Sequence, residues 1–187
     1  MDPITQQVTL SAAGAGGDSV YVDEVFSTFL FRGNQQARNI NNGIDLDGEG
    51  GLVWIKQRNT SYQHILINTE RGGSKWLISN ARDAESTNSQ AITSFNSNGF
   101  SLGTLDQVNN SNEDIVSWTF RKQKGFFDVV TWAGNDTSGR QIPHSLGSVP
   151  GMIMVKSRTD TQPWRVYHRS LAATEILELD GSGHKQT

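Results

Sequence analysis

The sequence predicts an all-β fold, an antiparallel β-sandwich arranged as a tandem repeat behind an extended N-terminal arm. Three observations carry that expectation. Short apolar stretches alternate with Asn, Gly and Ser turn signals along most of the chain. No segment keeps a long 3.6-residue apolar period. Similar blocks also recur in the same order about one hundred residues apart.

Composition points the same way. Of 187 residues, 35% are apolar and 19% charged, and 19 are Gly. The remainder is rich in Asn, Ser, Thr and Gln. Asn and Gly reach positive φ at low cost, while Ser and Thr tolerate pleated surfaces better than helices. Cysteine is absent, which excludes disulfides, thiolate metal sites and cysteine nucleophiles. The net charge of −3 gives no basic face for a nucleic acid. The small basic group Arg121, Lys122 and Lys124 falls at a strand end and reads as solvated. No apolar run nears the roughly 20 residues of a membrane span, so no membrane insertion is expected. Nor does a basic start with an apolar core open the chain.

Residues 1–24 read as an arm, since Ser11-Ala-Ala-Gly-Ala-Gly-Gly17 has too little apolar surface to fold alone. Val25–Phe31 is an aromatic strand broken by Arg32-Gly-Asn34. Ile40 and Ile44–Leu46 are short alternating pieces, and Gly48–Gly51 is a turn. Leu52–Ile55 followed by Lys-Gln-Arg has the pattern of a buried strand emerging into water. His64–Ile67 and Lys75–Ile78 flank the turn at Arg71–Gly73, and 81–90 is a polar loop. Ile92–Phe95, Gly99–Leu102 and Asp114–Phe120 complete a first module over 25–123. Strands at this spacing indicate a sandwich or barrel.

The recurrence begins where Phe26-x-x-Phe-Leu-Phe-Arg-Gly-Asn34 lines up with Phe127-x-x-Val-Thr-Trp-Ala-Gly-Asn135. Arg38-Asn-Ile40 then matches Arg140-Gln-Ile142, and Gly51–Arg58 matches Gly151–Arg158. Lys75–Asn80 falls near Glu175–Asp180. Residues 124–187 therefore read as the start of a second, incomplete module without counterparts of Phe95–Phe120. Either the chain is part of something longer or a partner supplies the missing strands, and the first is the expectation favoured. An uncovered edge would otherwise be an aggregation hazard.

No motif for chemistry stands out, and no catalytic, cofactor-binding or metal residue is assigned. The four histidines, His64, His144, His168 and His184, lack metal-ligand spacing. Asp45, Asp47 and Glu49 could gather around calcium, but they lack the third Asp, placed Gly and distal Glu of an EF-hand loop. A turn with solvated acids is the better reading. Glu70, Glu85, Glu113 and Asp114 could be paired on paper as glycosidase acids, yet none has a carboxylate counterpart in the second copy. Gly14-Ala-Gly16 is too short for a dinucleotide fingerprint. The expectation is a protein without enzymatic activity. Trp54, Trp118 and Trp132 sit inside strand patterns and are expected in the core. Trp164, after Gln162-Pro163, is the aromatic expected in an exposed loop, where it could stack on a glycan.

Met1-Asp-Pro-Ile-Thr-Gln-Gln7 and Tyr21–Thr28 resemble the start of virion structural proteins of marine and cyanobacterial tailed phages. Asn42–Lys56, Gly99–Gly103, Ile115–Lys122 and Pro143–Met152 are similar to the repeated module of those proteins. The resemblance implies a tail-fibre or tail-associated protein of the virion with modules like the concanavalin A or laminin G jelly roll. It implies that residues 1–24 dock on a tail adaptor, tube, baseplate or neighbouring virion protein, and that the chain is a trimer. It supplies no catalytic residue. A lectin-like module for host surface glycan and a capsid decoration protein are the alternatives.

Overall fold

The computed structural model describes residues 20–181, 185 and 186. The part of the expected arm before residue 20, and His184, lie outside the described residues. A single helical turn, α1 (Val22–Val25), leads directly into strand β1 (Phe26–Arg32). Its Val25 is fully buried, so the chain joins the folded body at this turn. There follow β2 (Arg38–Asn41), β3 (Gly51–Gln57), β4 (Ile65–Asn68), β5 (Lys75–Ile78), the two-residue β6 (Ser86–Thr87), β7 (Ile92–Asn96) and β8 (Gly99–Leu102). A second helical turn, α2 (Asp106–Asn109), precedes β9 (Asp114–Arg121). The remaining strands are β10 (Met152–Val155), β11 (Arg165–His168) and β12 (Leu177–Glu178).

All pairings are antiparallel. A six-stranded sheet has the order β1-β9-β3-β4-β5-β6, and a three-stranded sheet β2-β8-β7 lies against one face of it. Period-2 alternation decides which residues meet there. Val53, Ile55, Ile65, Ile67, Trp76, Ile78 and Ile115 point from the large sheet towards Ile40, Ile92, Phe100 and Leu102. This is a β-sandwich core, and burying each such side chain stabilises it by roughly 1.5–3 kcal/mol. Ile44 and Leu46, expected in a strand, are instead a buried loop that plugs the same core.

The other parity of the large sheet forms a second apolar layer. Leu52, Leu66 and Leu77 pack with Trp164, and Trp54, Phe120, Phe127, Val129, Met154 and Leu179 surround them. The third sheet, β10-β11-β12, therefore lies over the outer face of the first sandwich.

Pairings in this third sheet fall one hundred residues after those of β3, β4 and β5. Leu52↔Asn68 through Ile55↔Ile65 correspond to Met152↔His168 through Val155↔Arg165. Ile65↔Ile78 and Leu66↔Leu77 correspond to Arg165↔Glu178 and Val166↔Leu177. Loop contacts keep the same shift. The amide of His64 donates to Asn80 Oδ1 at 2.8 Å, and that of Trp164 to Asp180 Oδ1 at 2.7 Å. Lys56 Nζ donates to Thr60 O at 2.9 Å, and Lys156 Nζ to Asp160 O at 3.0 Å.

The correspondence has two breaks. Residues 128–137, the stretch aligned with β1 and the turn after it, contain no strand. In the first unit β1 is held by β9, and among the described residues no second β9 exists to hold 128–132. The Ile65–Ile78 pair of the main core is also replaced by an Arg165–Glu178 ion pair at 2.7 Å. That face of the third sheet is therefore partly polar.

Candidate interaction surface

Several of the residues singled out for chemistry, Asp45, Glu70, Glu85, His144 and His168, are engaged in structural contacts. Asp45 Oδ1 accepts the amides of Asp47 at 3.1 Å and Gly48 at 2.9 Å, closing an Asx turn. Among the described residues no three acidic or histidine side chains come together as a metal would need. Glu70 pairs with Lys122 at 2.7 Å, and Glu85 with the buried Arg71 at 2.9 Å, so these two acids serve separate contacts. The hydrogen bond to Glu70 holds the Lys122 ammonium above its ordinary pKa. Arg71 also donates to the carbonyl of Leu66 at 2.9 Å. Burial lowers its pKa and Glu85 opposes that shift.

His64 is pushed below the usual imidazole range, chiefly by burial and secondly by Lys56. His144 and His168 each use Nδ1 to accept a nearby amide, from Leu146 and Ser170. Burial likewise lowers Lys156, against the opposing pull of Asp180, Asp83 and Asp160.

Two tryptophans, Trp164 and Trp132, reverse the expectation. Trp164 is buried, at 5% exposure, and its indole donates to the carbonyl of Ile78 at 2.7 Å. It is therefore no exposed glycan platform. The proline before it starts no free loop, because β11 carries it straight onto Leu66 and Leu77. Trp132, expected in the core, is 44% exposed, because no strand pairs with its segment. Trp54 and Trp118 meet edge-on with ring centroids 5.9 Å apart on the outer face of the large sheet, away from the main core.

Two salt bridges add to the junction between the units. Arg82 reaches Glu178 at 2.9 Å and Asp180 at 2.8 Å. The amide of Glu85 donates to the carbonyl of Arg158 at 2.8 Å. Arg82 lay in a stretch that sequence alone marked as loop, and no local signal separates it from any other surface arginine.

The opposite side of the third sheet is open. β10 pairs with β11 on one edge, and among the described residues nothing pairs with its other edge. Met152 is 56% exposed and Ile153 41%, so apolar side chains on both faces of this strand meet solvent. Val149 and Trp132 add to the exposed apolar surface of the same unit. Such an edge is a template for strand addition.

Fold and surface together define an antiparallel all-β protein with a packed inter-unit face and an open strand edge. Residues 22–187 match the model of a domain of unknown function, DUF7483, and the chain belongs to that family. No curated protein and no solved structure matches it.

Proposed function

We propose that this chain is a non-catalytic structural component of a tailed-phage particle, a tail-fibre or tail-associated protein. Its β units, of the concanavalin A or laminin G kind, serve as a stiff spacer or host-facing module. Residues 1–24 dock it on an adaptor, tube, baseplate or neighbouring virion protein, and three copies assemble. The support is the sequence resemblance together with one structural observation. The two units are joined by a continuous apolar layer of Leu52, Leu66, Leu77 and Trp164. A module that must transmit force or hold a fixed direction needs such a junction, since a bare linker would let the units swing.

The test is localisation. Antibody labelling of purified particles places the chain on the tail or fibre, and deletion of residues 1–20 prevents its incorporation. Particles that lack the chain overturn the proposal, and label over the head makes it a decoration protein instead. Specific binding on a glycan array would favour the lectin-like alternative, although the burial of Trp164 removes the aromatic it relied on.

A further inference from the structure

We infer that the first unit is carried at the side of the chain's tension path rather than as a link in it, and that a cluster of four phenylalanines clamps that path shut. Tension entering at residue 25 leaves through residue 122, one strand away, and bypasses the sandwich. This goes beyond the phage reading and holds whatever assembly the chain belongs to, so its failure is separate from that reading's, which localisation tests.

Strand register sets the geometry. β1 forms the edge of the six-stranded sheet, and β9, its only partner among the described residues, is the strand that leads out of the unit. The two run antiparallel, so entry and exit share one end. Phe26 pairs with Phe120 there, and Arg32 with Asp114 at the other end. Paired strands lie about 5 Å apart, whereas β1 carries the chain about 23 Å to its far end. The loops at 33–37, 58–64 and 103–113 close that far end and lie off the path.

Entry, exit and onward chain are tied together at the near end. The rings of Phe26 and Phe120 have centroids 4.9 Å apart, and Phe120 stands 6.5 Å from Phe126 and 5.2 Å from Phe127. Phe126 and Phe127 are 6.4 Å apart. One aromatic group thus joins the strand that comes in, the strand that leaves and the start of the second unit, with ring contacts that add to the area they bury. The connection has no slack. The amide of Gln123 donates to Phe127 O at 2.9 Å and that of Phe126 to Gln123 O at 3.0 Å, closing 123–127 into a turn. Lys122 is fixed by its amide on Gly50 O at 2.9 Å, and by its ammonium beside Glu70 at 2.7 Å and Asp128 at 3.6 Å.

The direction of pull then decides the resistance. Antiparallel strands pulled from the same end open one pair at a time, here starting at Phe26. Pulled from opposite ends, all seven pairs resist together. The path from 25 to 122 is of the first kind, so Phe26 and the rings around it meet the load first and alone. Forced opening follows the unfolding rate rather than equilibrium stability, so a stable sandwich does not remove the weakness.

Single-molecule pulling on the full chain tests this, and the absence of native cysteine leaves two introduced ones as the only handles. Asp23→Cys with Lys124→Cys loads the entry–exit path. Asp23→Cys with Ser111→Cys loads β1 and β9 from opposite ends, and all three positions are exposed. At one loading rate the first pair should open at a force about threefold or more below the second. Phe26→Ala should lower the entry–exit force further and leave the crossed force within error. Equal forces in the two geometries, or a weaker crossed pair, overturn the inference, and that comparison needs no substitution in the packed interior. With Phe26→Ala, a fall of both forces by the same fraction, or of neither, overturns the clamp.

Discussion

The indole N–H of Trp164 donates to the main-chain carbonyl of Ile78 across the boundary between the two units, at 2.7 Å. Ile78 sits in the main sandwich core, so one side chain ties the third sheet to the first unit. Trp164→Ala should cost about 3–5 kcal/mol in chemical denaturation. Trp164→Phe keeps most of the burial and leaves the carbonyl without this donor, for about 1 kcal/mol. Identical stability of the two variants would show that the hydrogen bond contributes nothing.

Arg71 and Glu85 form the most buried ion pair among the described residues. Breaking it from one side leaves a buried charge without its partner. Arg71→Leu or Glu85→Leu alone should destabilise by about 3–5 kcal/mol, and the double variant should recover much of that loss. The aligned position in the second unit is Leu171, an apolar residue at the same place in the pattern. A double variant as unstable as the sum of the singles would contradict this account.

Strand positions were legible from sequence because apolar runs and turn residues are local signals. Lys75–Ile78 and Gly99–Leu102 are strands with the bounds expected. What sequence could not supply was the side each face would meet. The run Leu52-Val-Trp-Ile55 announces burial, but its even positions serve a different layer from its odd ones. Trp164 looked exposed because Gln162-Pro163 resembles a loop, and the sheet that receives it lies 86 residues away. The α2 turn was missed because Asp106-Gln-Val-Asn109 is too short to show a period. Its role rests on tertiary contacts, such as Gln57 Nε2 donating to Asp106 O at 2.6 Å. The aligned Phe127 segment illustrates the converse: a strand pattern becomes a strand when a neighbour pairs with it.

Asp45 illustrates a site that sequence located and structure reassigned to the backbone. Asp45→Ala should lose about 1 kcal/mol, the scale of a side chain that satisfies otherwise free amides. Addition of calcium should leave the melting temperature unchanged. A calcium-dependent rise abolished by Asp45→Ala would restore the metal reading.

His64 gives the fold a predictable response to acid. Burial and Lys56 lower its pKa in the folded chain from 6.5. The unfolded chain therefore binds more protons just below that value, and stability falls as pH drops through the window beneath 6.5. The loss levels off once the folded form also protonates. Melts between pH 7.5 and 5 should show a smaller decline for His64→Gln than for the parent. An unchanged slope would assign the pH response to other groups.

Gly51 and Gly151 occupy matching places at the start of matching strands, and they should differ sharply in tolerance. A Cβ at Gly51 runs into the carbonyl of Phe120 and the methyl of Leu46. The carbonyl belongs to a strand paired with β3 from Ile115 to Arg121, so it cannot yield without breaking the ladder. Gly51→Ala should therefore cost about 3 kcal/mol, as overpacking does. At Gly151 the nearest obstacle is the tip of Arg169, which can swing aside. Gly151→Ala should stay within about 0.5 kcal/mol of the parent. Equal penalties at the two sites would mean that another backbone already lies against Gly151 in solution, and urea denaturation of the two variants decides it.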